Sequence, residues 1–77
     1  MKYTVIVAKM KSNYCAHCPD VPGCMATGKT FEETLQLFKE ALEFHFEGLK
    51  EDGESIPQPS THCEYVEVDV DAAINAA

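Results

Sequence analysis

The sequence predicts a small α+β domain in which one long amphipathic helix packs on one face of an antiparallel sheet. Three observations support this fold class. Short β-branched segments separated by turn residues come first, a capped segment with three- and four-residue apolar spacing follows, and the final segment alternates between apolar and polar residues. The predicted order is βββαβ, and 77 residues allow one domain.

The three N-terminal strands are predicted over residues 2–10, 14–18 and 24–28. The first of them has apolar residues on both alternating faces, which is typical of a strand covered on both sides. Residues 11–13 form a polar break that suits a hairpin. Residues 19–23 contain two prolines and a glycine and therefore form a loop. Such short connections favour an antiparallel meander.

The long helix is predicted between Thr30 and Asp52. Thr30 is a good N-cap, and Glu33, three residues later, completes a capping box. Gly53 suits the left-handed residue that follows a helix end. The predicted apolar face consists of Phe31, Leu35, Phe38, Leu42, His45 and Leu49.

The chain after the helix is predicted to be extended. Residues 54–62 contain two prolines and form a linker. Residues 64–70 have valine at every second position from Val66, so a fourth strand with one buried and one solvated face is expected there. The last residues predict a single helical turn capped by Asp71.

Composition excludes several classes of function. Six lysines, no arginine and thirteen acidic residues give a net charge of -7, which disfavours direct nucleic-acid binding. No apolar run approaches the roughly 20 residues of a membrane span, so no membrane association is expected. The acidity suits a basic protein partner or serves only to keep the domain dissolved, and composition leaves both readings open. Without an export signal, the four cysteines are expected to be reduced in the cytoplasm.

One motif matches a phosphate-binding loop. Residues 23–30, GCMATGKT, fit the pattern G-x-x-x-x-G-K-[ST]. The prolines ahead of it remove the strand that should lead into such a loop, no second carboxylate motif follows, and the chain is too short for that fold. We therefore interpret Gly23 as a turn residue, Gly28 as the end of a strand and Thr30 as the helix cap, and we expect no cofactor.

The cysteines, histidines and carboxylates predict neither a metal site nor catalysis. Cys15 and Cys18 lie three apart in a predicted strand and face opposite sides, so they are expected to be small core residues rather than zinc ligands. His45 is read as a core or interface residue. No base is placed beside a nucleophile, and the first strand carries no acid for a two-metal nuclease. We predict that the protein is not an enzyme.

We interpret a second apolar strip on the predicted helix as a surface that binds a partner or another subunit. Leu37, Phe44 and Gly48 lie to one side of the main helix face, and Gly48 permits close approach. Together with Tyr65 of the last predicted strand they are the candidate partner or subunit interface. In an alternative arrangement, Phe44 packs under the proline-containing linker. Because so short a chain builds a small core, self-association to a dimer or tetramer is also expected.

The residues also resemble a known family. The matching segments are Tyr3–Val7, Cys18–Cys24 (CPDVPGC), Ala26–Thr30 (ATGKT), Glu40–Leu49 and Asp52–Pro59. Over essentially the whole chain they resemble the N-terminal domain of HicB-like antitoxins. The resemblance implies a partial ribonuclease H-like fold without the nuclease carboxylates. It also implies binding and neutralisation of a HicA-like toxin, a small basic RNA-cleaving protein with a catalytic histidine.

The resemblance leads to two hypotheses. Longer family members add a C-terminal DNA-binding domain of helix-turn-helix or ribbon-helix-helix type, and we expect residues 1–77 to be a single HicB-like domain without one. The first hypothesis is a non-catalytic antitoxin module that binds and occludes a basic HicA-type toxin. The alternative is a stand-alone oligomeric domain without a toxin partner that binds a small ligand or a metal.

Overall fold

The fold of residues 1–71 is described by a computed structural model. It contains the strands β1 (Ile6–Lys9), β2 (Tyr14–His17) and β3 (Met25–Gly28) and the helix α1 (Phe31–Glu51). The strands form one antiparallel sheet in the order β1-β2-β3, and α1 packs on one face, mainly against β3 and β2. The predicted α+β class, with an antiparallel sheet and one long helix, is confirmed.

The strand register explains how the helix approaches the sheet. Val7, Ala16 and Ala26 lie opposite one another across the three strands, and Ala16 is fully buried. Small side chains in this row allow α1 to lie close to the sheet. The remaining buried core consists of Cys18, Val21, Phe38 and Leu42.

Local capping sets both ends of α1, as predicted. The Thr30 hydroxyl accepts a hydrogen bond from the Glu33 amide at 3.0 Å. The Glu33 carboxylate accepts from the Lys29 amide at 2.8 Å, one residue earlier than a standard capping box requires. At the other end Gly53 has a φ of 72° and donates its amide to the Lys50 carbonyl at 3.1 Å.

The junction between β3 and α1 requires glycine at position 28. A Cβ atom there would lie 2.6 Å from the Oγ1 atom of Thr34. The Thr34 side chain is fully buried, and its hydroxyl donates to the Thr30 carbonyl at 2.7 Å. The first turn of α1 is therefore pressed directly against the end of β3.

The predicted apolar face of α1 is only partly correct. Phe38 and Leu42 are buried, but Phe31 and Leu35 are 47% and 38% exposed, and His45 is exposed. The sheet has three strands and lies mainly under the β3 side of the helix. The opposite flank, which faces β1, therefore remains uncovered.

The fourth strand predicted over residues 64–70 is not formed, so the order βββαβ is wrong for the single chain. Residues 62–69 pair with no strand within the described chain, and Tyr65 and Val66 are 95% and 80% exposed. A strand requires a partner backbone, and in the single chain these residues are paired with none. Most of the helical turn predicted with Asp71 as its cap lies outside the described residues, but Val70 and Asp71 are already helical, so Asp71 lies within the helix rather than at its cap.

The prediction that the first strand is covered on both sides is also wrong. β1 is an edge strand with β2 as its neighbour, and Ile6 is 43% exposed. The apolar residues on both faces indicate burial that one copy of the described chain does not provide.

Candidate partner-binding surfaces

The predicted interface residues of the helix lie on its β3 side. Leu37 and Phe44 are 41% and 78% exposed, and Gly48 is also exposed. Phe44 and Gly48 line a shallow pocket of about 510 Å³ with Met25 at the start of β3. We call Leu37, Phe44, Gly48 and Met25 the β3-side strip. Its helix positions 37, 44 and 48 lie on one side of α1 because they are separated by about two turns and one turn.

The structure also shows where Phe44 lies relative to the linker and where Tyr65 lies relative to the helix positions. Phe44 does not pack under the linker, because more than three quarters of its surface is exposed. Tyr65 is 95% exposed on the extended segment after the helix and does not line the pocket beside Phe44. The three helix positions therefore share a surface, whereas Tyr65 belongs to a different part of the molecule.

An acidic row borders the β3-side strip. At 100° per residue, glutamates lie next to the strip on its solvent side. All of them are exposed: Glu33, Glu40, Glu47 and Glu51. An apolar centre with an acidic border is complementary to a basic protein surface.

A second apolar surface lies on the opposite flank of α1. A groove of about 610 Å³ runs between residues 1–5 and the helix, and its apolar walls include Tyr3, Val5, Leu42 and Phe46. The rings of Tyr3 and Phe46 lie 5.3 Å apart at 43°. We call this the β1-side groove. Periodicity alone did not identify it, because one wall precedes β1 and the other belongs to α1.

Asp20 fixes the chain that follows the helix. Its carboxylate accepts hydrogen bonds from the amides of Ser60 and Thr61 at 3.0 Å each. It also accepts from their hydroxyls at 3.0 and 2.8 Å. The backbone amides, followed by the hydroxyls, lower the pKa of Asp20 to about 2. Thr4 donates its hydroxyl to the Thr61 carbonyl at 2.9 Å, which ties the same point to the N-terminal segment.

The residues that match the phosphate-loop motif have the structural roles predicted for them. Gly23 has a φ of 88°, Gly28 ends β3, and Thr30 caps α1. The loop positions between the two glycines are largely strand, since residues 25–28 pair with β2. These backbone groups therefore bond to a neighbouring strand rather than surround a phosphate.

The cysteines and histidines form no cluster with metal-ligand geometry in the described part of the chain. Cys18 is buried, Cys15 and Cys24 are half-buried, and Cys63 is exposed. Burial, followed by the nearby Cys18, raises the pKa of the Cys24 thiol, which therefore stays protonated and unreactive. Within residues 1–71 no helix has the length and apolar character needed to cross a membrane.

Comparison with known proteins identifies the family. A family model described as the HicB-like antitoxin of bacterial toxin-antitoxin systems matches residues 3–74. The chain belongs to this HicB-like antitoxin family. Members of this family are described as antitoxins of bacterial toxin-antitoxin systems.

Individual relatives agree with this assignment. The HicB-like chain is 36% identical over 69 residues to antitoxin HicB 2 of Photorhabdus laumondii, covering 88% of this chain and 50% of that protein. It is 38% identical over 66 residues to an uncharacterized 14.9 kDa protein of Haemophilus phage HP1, covering 86% and 50%. With a UPF0150 protein of Thermoplasma acidophilum it shares 44% identity over 59 residues, covering 75% and 86%. The chain thus spans about half the length of the first two proteins.

A solved structure gives the same result. The HicB-like chain is similar to a chain of a HicA3 and HicB3 toxin-antitoxin complex, with a TM-score of 0.66 and 28% identity over 78% of this chain and 70% of that one. The likeness supports the α+β architecture independently of the strand assignments.

Proposed function

We propose that this HicB-like chain is a non-catalytic antitoxin module that binds a basic HicA-type RNA-cleaving toxin and covers its active site. The observation that carries the proposal is the similarity to a chain of a HicA3 and HicB3 complex over 78% of the sequence. The net charge of -7 supports the choice of a basic partner, because opposite charges accelerate encounter and favour the correct orientation.

The β3-side strip is the proposed toxin contact. It offers exposed apolar area at its centre, where Phe44 is 78% exposed, and the acidic row lies at its border. Interfaces of this kind obtain most of their affinity from a few large central side chains, while the charged border affects association rate and specificity. Occlusion of the active site would then need no chemistry from the antitoxin.

Several further features complete the proposal. The module is a single HicB-like domain with a partial ribonuclease H-like fold and acts in the cytoplasm, where its toxin would cleave RNA. It self-associates, because the five buried apolar residues found within residues 1–71 form a small core. It requires no cofactor and does not contact nucleic acid directly, since its net charge would repel phosphate groups.

Co-expression with the product of the adjacent reading frame tests the proposal, which expects a small basic protein there. The two chains should co-elute in size-exclusion chromatography with light scattering, and the chain should restore growth to cells that produce the toxin. Replacing Phe44 by Ala should weaken the complex by about tenfold or more, because it removes a central apolar contact.

A matched pair of leucines provides the control. Leu37 and Leu35 are 41% and 38% exposed on the same helix, but only Leu37 belongs to the β3-side strip. Leu37→Ala should reduce toxin binding, whereas Leu35→Ala should leave it unchanged. Equal effects would refute the β3-side strip as the contact, and a chain that never co-elutes with a neighbouring basic protein would refute the antitoxin function itself.

A further inference from the structure

The C-terminal arm, residues 62–71, has the pattern of a strand but lies outside the sheet. Val66, Val68 and Val70 are 80%, 64% and 63% exposed at alternating positions, with polar or aromatic residues between them. Alternation of this kind buries one face when the segment joins a sheet. The radius of gyration is 16.3 Å, whereas a compact chain of this length has about 11 Å. The arm therefore projects from the compact part of the molecule.

The free edge of β1 is the position in the sheet where such a strand fits. In the described chain β1 has β2 as its neighbour on one side, so the backbone groups on its other side have no strand partner. The linker contacts the chain at Tyr3 and Thr4, ahead of β1.

The β1-side groove lies where the inward face of an added strand would point. It is about 610 Å³ in volume and lies between the segment leading into β1 and the uncovered flank of α1. Side chains on one face of a strand repeat every second residue, so successive inward positions would enter the groove together. The extended part of the arm carries valine at two such positions, Val66 and Val68, and the chain becomes helical at Val70.

Charge complementarity points to the same pairing. Residues 1–19 contain three of the six lysines and no acidic residue, although the whole chain carries a net charge of -7. The arm has the opposite character, with four acidic residues and no lysine: Glu64, Glu67, Asp69 and Asp71. Opposite charges on neighbouring strands stabilise their pairing.

We infer that the C-terminal arm of one copy adds as a strand to β1 of a second copy, with its valines in the β1-side groove. The exchange is reciprocal, so a two-fold dimer forms and both open edges are covered. The segment just before each arm stays with its own chain, because Asp20 accepts hydrogen bonds from the amides of Ser60 and Thr61. This inference specifies the self-association proposed above and does not depend on the toxin.

Light scattering of the full chain at several concentrations tests the exchange. The unmodified protein should be a dimer, and Val66→Lys/Val68→Lys should be a monomer, with a dimer dissociation constant raised by roughly a hundredfold or more. Cys63→Lys/Tyr65→Lys is the matched control: it also adds two lysines to the arm, but on the opposite face and without removing an acidic residue, and should remain dimeric. A monomeric unmodified chain, or equal effects of the two variants, would overturn the inference.

An isotope-filtered NMR experiment on the unmodified protein distinguishes exchange from folding back within one chain. Labelled and unlabelled copies are mixed, so the filtered spectrum reports contacts between copies. We expect contacts from the methyl groups of Val66 and Val68 to Leu42 and Phe46. The same contacts found solely within one chain would contradict the exchange. Because no toxin is present in either experiment, failure here leaves the antitoxin proposal to its own test.

Discussion

Two glycine-to-alanine substitutions should change stability in opposite directions. At position 28 an added Cβ would lie 2.6 Å from Oγ1, 3.0 Å from N and 3.1 Å from Cα of Thr34. The hydroxyl can move only by giving up its 2.7 Å bond to the Thr30 carbonyl, and the backbone atoms can move only if the helix shifts. At Gly48, by contrast, an added Cβ meets nothing within 4 Å.

The magnitudes follow from these contacts. Overpacking at Gly28 costs about 1–3 kcal/mol, and weakening the Thr34 hydrogen bond adds about 0.5–1.5 kcal/mol. Replacing a strand glycine recovers about 0.5–1 kcal/mol of backbone entropy, so Gly28→Ala should lose about 1–3 kcal/mol. Gly48→Ala should gain about 0.5–1 kcal/mol, because alanine is the better helix former. A domain of this size has about 4–12 kcal/mol in total, so both changes are measurable.

Urea and thermal unfolding followed by circular dichroism provide the assay. Gly28→Ala should lower the midpoint by about 4 °C or more, and Gly48→Ala should raise it by a few degrees. Both variants should keep the helical spectrum of the parent at low temperature. If Gly28→Ala were as stable as the parent protein, the close approach of α1 to β3 would be refuted.

Three further predictions concern the hydrogen bonds that hold residues 57–61, the segment just before the C-terminal arm. Asp20→Ala should speed amide hydrogen exchange at Ser60 and Thr61, since it removes the acceptor for both amides; unchanged exchange would mean that these bonds do not form in solution. Because the pKa of Asp20 is lowered from 3.8 to about 2, the stabilisation from its carboxylate should be complete above pH 4 and disappear as the pH falls through about 2, which an NMR titration of the same two amides would detect. Tyr3→Phe removes the 2.6 Å hydrogen bond to the Pro57 carbonyl and should cost about 0.5–1.5 kcal/mol in urea unfolding, whereas an unaffected midpoint would show that water replaces it.

The sequence predicted those parts of the fold that depend on residues close together in the chain. Thr30, Glu33 and Gly53 act within a few residues of the helix ends, so capping rules located α1 correctly. Strand edges depend on partners that are distant in sequence. The pattern of residues 64–70 could predict a strand, but it could not show that this segment stays unpaired in the single chain although one edge of β1 is open.

The candidate surfaces show the same difference between residues that are close in sequence and residues that are distant in sequence. Helical periodicity was sufficient to find Leu37, Phe44 and Gly48, because one element carries them all. The binding of Ser60 and Thr61 by Asp20 joins residues 40 and 41 positions apart, and no short motif indicates it. The β1-side groove likewise requires the N-terminal segment and α1 to be placed in three dimensions before it can be recognised.

The exposed arm also bears on how long the protein survives. Proteases cleave extended peptides whose side chains are accessible, and Tyr65 and Val66 meet both conditions in a single copy. A bound partner that covers the arm would remove the best cleavage site. If the proposed exchange covers the arm, the lifetime of this HicB-like chain depends on its own concentration: scarce copies would be degraded first, while abundant copies would protect one another.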